Sequence, residues 1–221
     1  MTRLTPRDRR PMAAAWHRRP AVELAQALLG KLLLHRTRDG EAGGWIVETE
    51  AYVGEEDPAC HAAVGRTDRT EVMYGPAGHA YVYFTYGMHW CMNVVAARVG
   101  RPEAVLIRAI EPAVGIALMR RRRGAEVPDR DVARGPARLC RALAIDGSQN
   151  GRRLDGGALT VAAGRNGPRI LGVSARVGIR VGTDRPWRFF DAESPFVSAG
   201  RPGPPSGRRT ALAVDTLPAG R

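Results

Sequence analysis

Two short runs of strand-forming residues, HAYVYFT at 79–85 and HWCMNVVAARV at 89–99, are separated by Tyr86-Gly87-Met88 alone. Aromatic and β-branched residues favour a pleated surface, and the central glycine lets the chain reverse within three residues. The two runs are therefore expected to pair as an antiparallel hairpin. Asp39-Gly40 signals a second reversal, between a strand over 31–36 and another over 45–52. The apolar run 104–109 reads as a further, central strand. Strands that meet through hairpins lie antiparallel, and helical stretches separate the remaining ones. The expected class is α+β, one domain, with a mostly antiparallel sheet and flanking helices.

The helices are placed by their start and stop residues. Pro20 opens one that runs to Leu29 and stops at Gly30; Pro112 opens a second that ends in the arginine run 120–123; Gly135-Pro136 opens a third, ended by Asp146-Gly147. A short strand is expected at 159–162, one over 173–181 where every second residue is apolar, and a last one at 187–190. Residues 53–78 read as a long irregular loop, the kind that usually carries function. Residues 1–19 read as a basic, flexible arm, 20–198 as the domain and 199–221, rich in proline and glycine, as a disordered tail.

The strand at 45–52, WIVETEAY, carries the chemistry. Side chains alternate along a strand, so Glu48, Glu50 and Tyr52 point one way and Val47, Thr49 and Ala51 the other. Two carboxylates and a phenol are poor core material. They form either a solvated face or a pocket for acid–base chemistry beside a flat ring.

Charge supplies the partner class. The 221 residues carry 34 Lys and Arg against 22 Asp and Glu, a formal net charge of +12, and Lys31 is the only lysine. Such a surface attracts polyanions, and arginine is the residue for bidentate phosphate contact and base stacking, although arginine richness also follows from a GC-rich genome. Cys60, Cys91 and Cys140 are odd in number and form no C-x-x-C pair, which argues against a disulfide framework or a structural zinc site. The Cys60-His61 step has no second ligand pair at metal spacing, so no metal or other cofactor is expected. Without a signal-peptide pattern or an apolar run of membrane length, the expected compartment is the reduced cytoplasm.

Several residues then acquire two readings each. Tyr86 and Met88 at the hairpin tip are either a wedge inserted between base steps or side chains folded back on the core. Tyr81, Tyr83, Tyr52 and His61 are either a stacking platform for a base or ordinary packing. The free N–H groups at Gly135-Pro136 could hold a phosphate, which would also relieve Arg138 in a helix's first turn, where a cation is disfavoured; the alternative is a solvated arginine. Arg66 and Arg69 are similar candidates in the loop. Lys31, between a helix stop and an apolar strand, is a poor Schiff-base nucleophile, so an enzyme cleaving a glycosidic bond here would use water.

The segments VETEAYVGEEDPACH (47–61), YVYFTYGMHWCMN (81–93), AVLIRAIEP (104–112) and GPARLCRALAI (135–145) resemble, in order and within a match from about 21 to 198, the alkyladenine (methylpurine) DNA glycosylases. The resemblance implies a curved antiparallel sheet with a protruding hairpin. It also implies monofunctional excision of alkylated or deaminated purines (methyladenine, hypoxanthine, etheno adducts) from duplex DNA in base excision repair, by a monomer without membrane contact. Residue by residue, Glu50 matches the carboxylate that activates water, and Arg108 an arginine near that water and the DNA backbone. Tyr52, His61 and Tyr83 match the groups enclosing the flipped base, Asn93 the residue that resists guanine, and Tyr86 the side chain inserted in the minor groove. Arg69-Thr70 stands where relatives often have Arg-Asn, in a loop slightly shorter than in vertebrate members, which leaves the phosphate contacts there open. The rival readings are a non-catalytic nucleic-acid-binding protein of the same fold and a small-molecule glycoside hydrolase using Glu48 and Glu50 as a pair.

Overall fold

The computed structural model of the chain describes residues 4–200. The elements follow in the order α1 (Ala21–Leu28), β1 (Leu32–Thr37), β2 (Gly40–Val53), β3 (Ala80–Thr85), β4 (His89–Val95), β5 (Glu103–Val114), α2 (Ile116–Arg123), α3 (Pro136–Leu143), β6 (Leu159–Ala162), β7 (Leu171–Ser174) and β8 (Arg188–Asp191). One sheet runs β3-β4-β5-β2-β1-β6; β8 pairs with the second half of β2, beyond the stretch that β1 covers, and β7 pairs with β8. Every pairing is antiparallel, as the hairpin signals required.

Alternation along the central strands sorts the sheet into two faces. Val82, Met92, Val94, Val105, Ile107 and Ala51 join one core with the helices. Helix α1 places Ala21, Leu24, Ala25 and Leu28 on that face, the i, i+3, i+4, i+7 stripe of an amphipathic helix; each buried leucine contributes about 1.5–3 kcal/mol. Thr49 is turned to the same side, where its hydroxyl donates to the Ala25 carbonyl at 2.8 Å. The intervening residues Glu48, Glu50, Tyr81, Tyr83, Asn93 and Arg108 are left for the opposite face, which is roofed by loops.

Four expectations from sequence are corrected. Residues 4–19 are not a loose arm: the Met12 N–H bonds the Val161 carbonyl at 2.9 Å, Pro11 bridges Ala162, His17 is buried, and Met12 and Trp16 pack on the core. Its apolar anchors outweigh its charge. Pro112 does not start a helix. It pairs with Gly44 inside β5, so close that a Cβ on Gly44 would lie 2.1 Å from the Glu111 carbonyl oxygen, and α2 begins only after Gly115 turns the chain at φ 68°. Helix α3 ends at Ala144 in the left-handed region, and Asp146 caps the next turn instead. The alternating stretch 173–181 is a strand only to Ser174: Arg176 is drawn inward, and Gly178 and Gly182 bend the chain at φ 77° and 61°. The loop 53–78 contains three short 3₁₀ turns. Of the tail expected at 199–221, the part from 201 on lies outside the described residues.

Candidate active site

The face of the sheet turned away from the helices floors a cavity of about 480 Å³. Register brings its residues together: Glu50 lies opposite Leu106, Asn93 opposite Leu106 from the other side, Tyr81 opposite Asn93, and Tyr83 opposite Cys91. Tyr52, His61, Tyr83, Asn93 and Arg108 all line the cavity, with Tyr86 at its edge and residues 177–181 as its far wall.

The aromatic wall is rigidly set. His61 meets Tyr83 edge-on with centroids 4.5 Å apart, and Tyr81 and Tyr83 lie 5.4 Å apart. His61 Nδ1 is 2.9 Å from the Tyr81 hydroxyl, while Arg69 reaches within 3.4 Å of His61 Nε2 and sits over the Tyr83 ring. With Nε2 facing a guanidinium, the proton belongs on Nδ1, which donates to Tyr81. Burial, helped by Arg69, pushes His61 down to about 4, so the ring is neutral at physiological pH. Burial likewise pushes Tyr81 up to about 12 and raises Tyr83 and Tyr52 well above the ordinary phenol value. Asn93 is buried, its amide nitrogen fixed by the Tyr81 carbonyl at 3.0 Å. Cys60 is a buried thiol that burial pushes up to about 11. Among the described residues no group of three or more His, Cys, Asp and Glu has the proximity to hold a metal ion.

Neither Glu48 nor Glu50 faces solvent, so the solvated-face reading fails. Glu50 is fully buried, one layer beneath the cavity. Its Oε1 accepts the Val177 N–H at 2.6 Å, and its Oε2 accepts the Tyr52 hydroxyl at 3.0 Å and faces Arg108 Nη1 at 3.2 Å. Three of its contacts therefore line the cavity that Glu50 itself does not reach. Glu48 is locked differently: Arg108 Nε, Arg188 Nε and the Ser198 hydroxyl bond its Oε1 at 2.8 Å each, and the Ser198 N–H bonds its Oε2 at 2.7 Å. Burial alone would raise its pKa, but Arg108 and Arg188 outweigh that and hold it below the usual carboxylate range. Arg108 opposes both acids at once; burial pulls its own pKa down and the two carboxylates more than restore it.

A second buried pair ties the roof to the floor. Arg176 and Asp57 meet in a fork, Nη2 to Oδ1 at 2.8 Å and Nη1 to Oδ2 at 2.5 Å, with no exposure on either side chain. The Arg176 guanidinium lies 4.7 Å from the Tyr52 ring centre and 5.2 Å from that of Trp187. It thus braces Tyr52 from behind while its neighbour Val177 holds Glu50.

The hairpin tip projects. Tyr86 is 83 % exposed and Met88 67 %, with Tyr86 at φ 51° and Gly87 at φ 65°, so neither side chain folds back on the core. The other cationic candidates divide. Arg66 is paired with Glu71 at 2.5–2.6 Å on the surface, Arg69 belongs to the cavity wall, and Arg138 is exposed near the Gly135 helix start, 3.8 Å from Asp131. Sequence reasoning missed Asp57, Arg176, Val177, Arg188 and Ser198. The partners they meet lie 119 or more residues away, and nothing local in the chain marks such a meeting.

Comparison with known proteins places the chain in a family. Residues 15–195 match the family model described as methylpurine-DNA glycosylase (MPG). A Burkholderia lata protein described as "Putative 3-methyladenine DNA glycosylase" is 47% identical over 204 residues, covering 90% of this chain and 97% of the relative. Proteins with the same description from Chlorobaculum tepidum (42% identical; 90% of this chain, 95% of the relative) and Streptomyces avermitilis (44% identical; 92% and 98%) are similarly close.

Proposed function

From the premise that the chain belongs to the methylpurine-DNA glycosylase family, we propose that it everts a damaged purine from duplex DNA and releases the base with a water activated by Glu50. At the coarser level it is a DNA-repair hydrolase that cleaves N-glycosyl bonds of alkylated bases, of the DNA-3-methyladenine glycosylase type. The observation that carries the finer reading is the placement of Glu50 directly beneath an aromatic cavity of purine-accommodating size.

In this reading Tyr86 enters the minor groove, and the lesion nucleotide rotates into the cavity at an unstacking cost of a few kcal/mol. The base stacks between Tyr52, His61 and Tyr83, each contact contributing about 1–3 kcal/mol, and Asn93 restricts the shape admitted. Glu50 gives up one neutral donor, the Val177 N–H or the Tyr52 hydroxyl, in exchange for a water. That water's oxygen attacks C1′, its proton passes to Glu50, and the electrons of the C1′–N bond leave with the base. A cationic methylpurine departs as a neutral base and needs no acid. His61 is neutral and the phenols of the wall hold their protons tightly, so the pocket offers no strong proton donor to a neutral leaving group. Methylated cationic purines are therefore expected to be released faster than hypoxanthine or etheno adducts.

One feature disfavours the glycoside-hydrolase rival, and another an amine nucleophile. Glu48 is bound by two arginines and Ser198, so it has no proton to give as the acid of a carboxylate pair. Lys31 lies beside the Trp16 ring and is not among the residues lining the cavity, in keeping with water rather than an amine as nucleophile. No described helix is long and apolar enough to cross a membrane; a monomer in the cytoplasm, at the nucleoid when bound to DNA, is the remaining part of the proposal. The test is incubation with a panel of single-lesion duplexes and direct detection of free base. Released methyladenine with an intact sugar–phosphate backbone supports the reading; duplex binding without any released base leaves only the non-catalytic rival.

A further inference from the structure

The hairpin β3–β4 has two faces, and only one belongs to the cavity just described. Tyr81, Tyr83, Cys91 and Asn93 turn to that cavity, while Trp90, with Met88 and His89 near the tip, lines a separate groove of about 810 Å³ on the other side. The far wall of this groove is built from the end of α2 and from α3, and three arginines converge on it: Arg123, Arg138 and Arg141. Arg123 and Arg141 are each anchored through Nε to a main-chain carbonyl, of Val132 and Arg122 respectively, both at 2.9 Å. Among the described residues their terminal guanidinium nitrogens have no intramolecular partner. The acids nearby do not balance the cluster. Asp131 is shared among Arg130, Arg134 and Arg138 at 3.4–3.8 Å, and Asp146 is spent capping the Ser148 N–H. Burial lowers the pKa of Arg123, and the unbalanced charges of Arg138 and Arg141 lower it further.

We propose that this groove receives backbone phosphates of the strand complementary to the lesion. The inference rests on the duplex-DNA reading above and extends it. A minor groove is about 6 Å wide and is bounded by one backbone of each strand. A hairpin tip inserted there has one strand on each of its faces. The everted purine enters the cavity on the Tyr83 face, which puts the lesion strand on that side. The complementary strand is then left to the Trp90 face, where the three arginines wait. The Phe84 and Trp90 rings meet at a tilt of 52° with centroids 4.8 Å apart on this face, and Trp90 abuts Gly147, where an added Cβ would come within 2.9 Å of the indole. The hairpin is thereby held at a fixed distance from the arginine wall.

The experiment compares the wild-type protein with an Arg123→Gln/Arg141→Gln double variant, checked for native folding by circular dichroism. Each binds a lesion duplex in three forms: unmodified, with methylphosphonate linkages in the complementary strand opposite the lesion, or with the same linkages flanking the lesion itself. Each lost phosphate contact lowers the salt slope by about 0.9. Between about 50 and 200 mM salt the double variant should therefore lose roughly tenfold less affinity than wild type. Neutralising the complementary strand should weaken wild type by a similar factor and leave the double variant unaffected. Wild-type binding that responds only to neutralisation of the lesion strand overturns the inference by itself, even if the double variant cannot be purified, as does a double variant that responds to the complementary strand as wild type does. Wild-type protein with no affinity for any lesion duplex overturns the duplex reading and this inference with it.

Discussion

The Asp57–Arg176 pair gives the sharpest quantitative expectation. Both side chains are fully buried, and Asp57 accepts two bonds from Arg176 and two more from the Val53 and Ala59 N–H groups at 3.2 Å. Asp57→Asn keeps the volume but removes the charge and replaces one acceptor with a donor. Arg176 then keeps a single neutral side-chain acceptor, the remaining amide oxygen, beside the main-chain carbonyls of Ala51 at 3.0 Å and Gly182 at 3.4 Å, and no counter-charge in the fork. An uncompensated buried charge costs about 3–5 kcal/mol, a large part of the roughly 5–15 kcal/mol that holds a domain together. The double variant Asp57→Asn/Arg176→Met removes the orphaned charge and fills its space, so it should recover about 2 kcal/mol or more of that loss. The sign with pH follows from the direction of the shift. Burial alone would raise the Asp57 pKa, but Arg176 outweighs it and the folded value lies below the ordinary one. The stability gap between wild type and Asp57→Asn is therefore fully present above about pH 4 and closes as pH falls through the lower folded value. Urea unfolding at pH 7 and at pH 3 measures it. A loss under about 1 kcal/mol at pH 7, or a double variant less stable than Asp57→Asn, would refute the reasoning.

Two other outcomes follow from the cavity wall and the hairpin. His61 has a folded pKa of about 4 against an unfolded value near 6.5, so its neutral form stabilises the fold above pH 6.5 and that contribution is lost as pH falls toward 4. His61→Gln should flatten the decline in the urea midpoint over that window and introduce no step near pH 6.5 in the excision profile; an alkaline limb that vanishes in the variant would make His61 an acid catalyst after all. Tyr86→Ser should weaken lesion-duplex binding by about 5- to 150-fold, the equivalent of a lost stacking contact of about 1–3 kcal/mol, with unchanged urea midpoint because the side chain is exposed; anisotropy titration giving wild-type affinity would remove the wedge assignment.

What could be read from the chain was whatever repeats locally. The alternation that set Glu48, Glu50 and Tyr52 on one face survives in the structure, although β2 bulges against β5 between Ile46 and Thr49, because all three side chains still meet through Arg108 and Glu50. The hairpin and the Gly135-Pro136 helix start were legible for the same reason: each depends on a few adjacent residues. Alternation misled at 173–181, where the long-range pull of Asp57 on Arg176 overrides the local pattern. Positive charge misled at 4–19, where Met12, Trp16 and His17 are enough to seat the segment. The cover over Glu50 could not be anticipated, since Val177 reaches it only through the closure of a 127-residue loop.

The most direct test is single-turnover release of methyladenine by Glu50→Gln. Glutamine fits the same space, can still accept the Val177 N–H through its oxygen and can donate to the Tyr52 hydroxyl, which reverses its role. Loss of a general base lowers the rate by about 10²–10⁴-fold. The predicted result is a loss of that size with affinity for the lesion duplex retained. A variant that is folded, binds the duplex and frees the base at the wild-type rate would contradict the account.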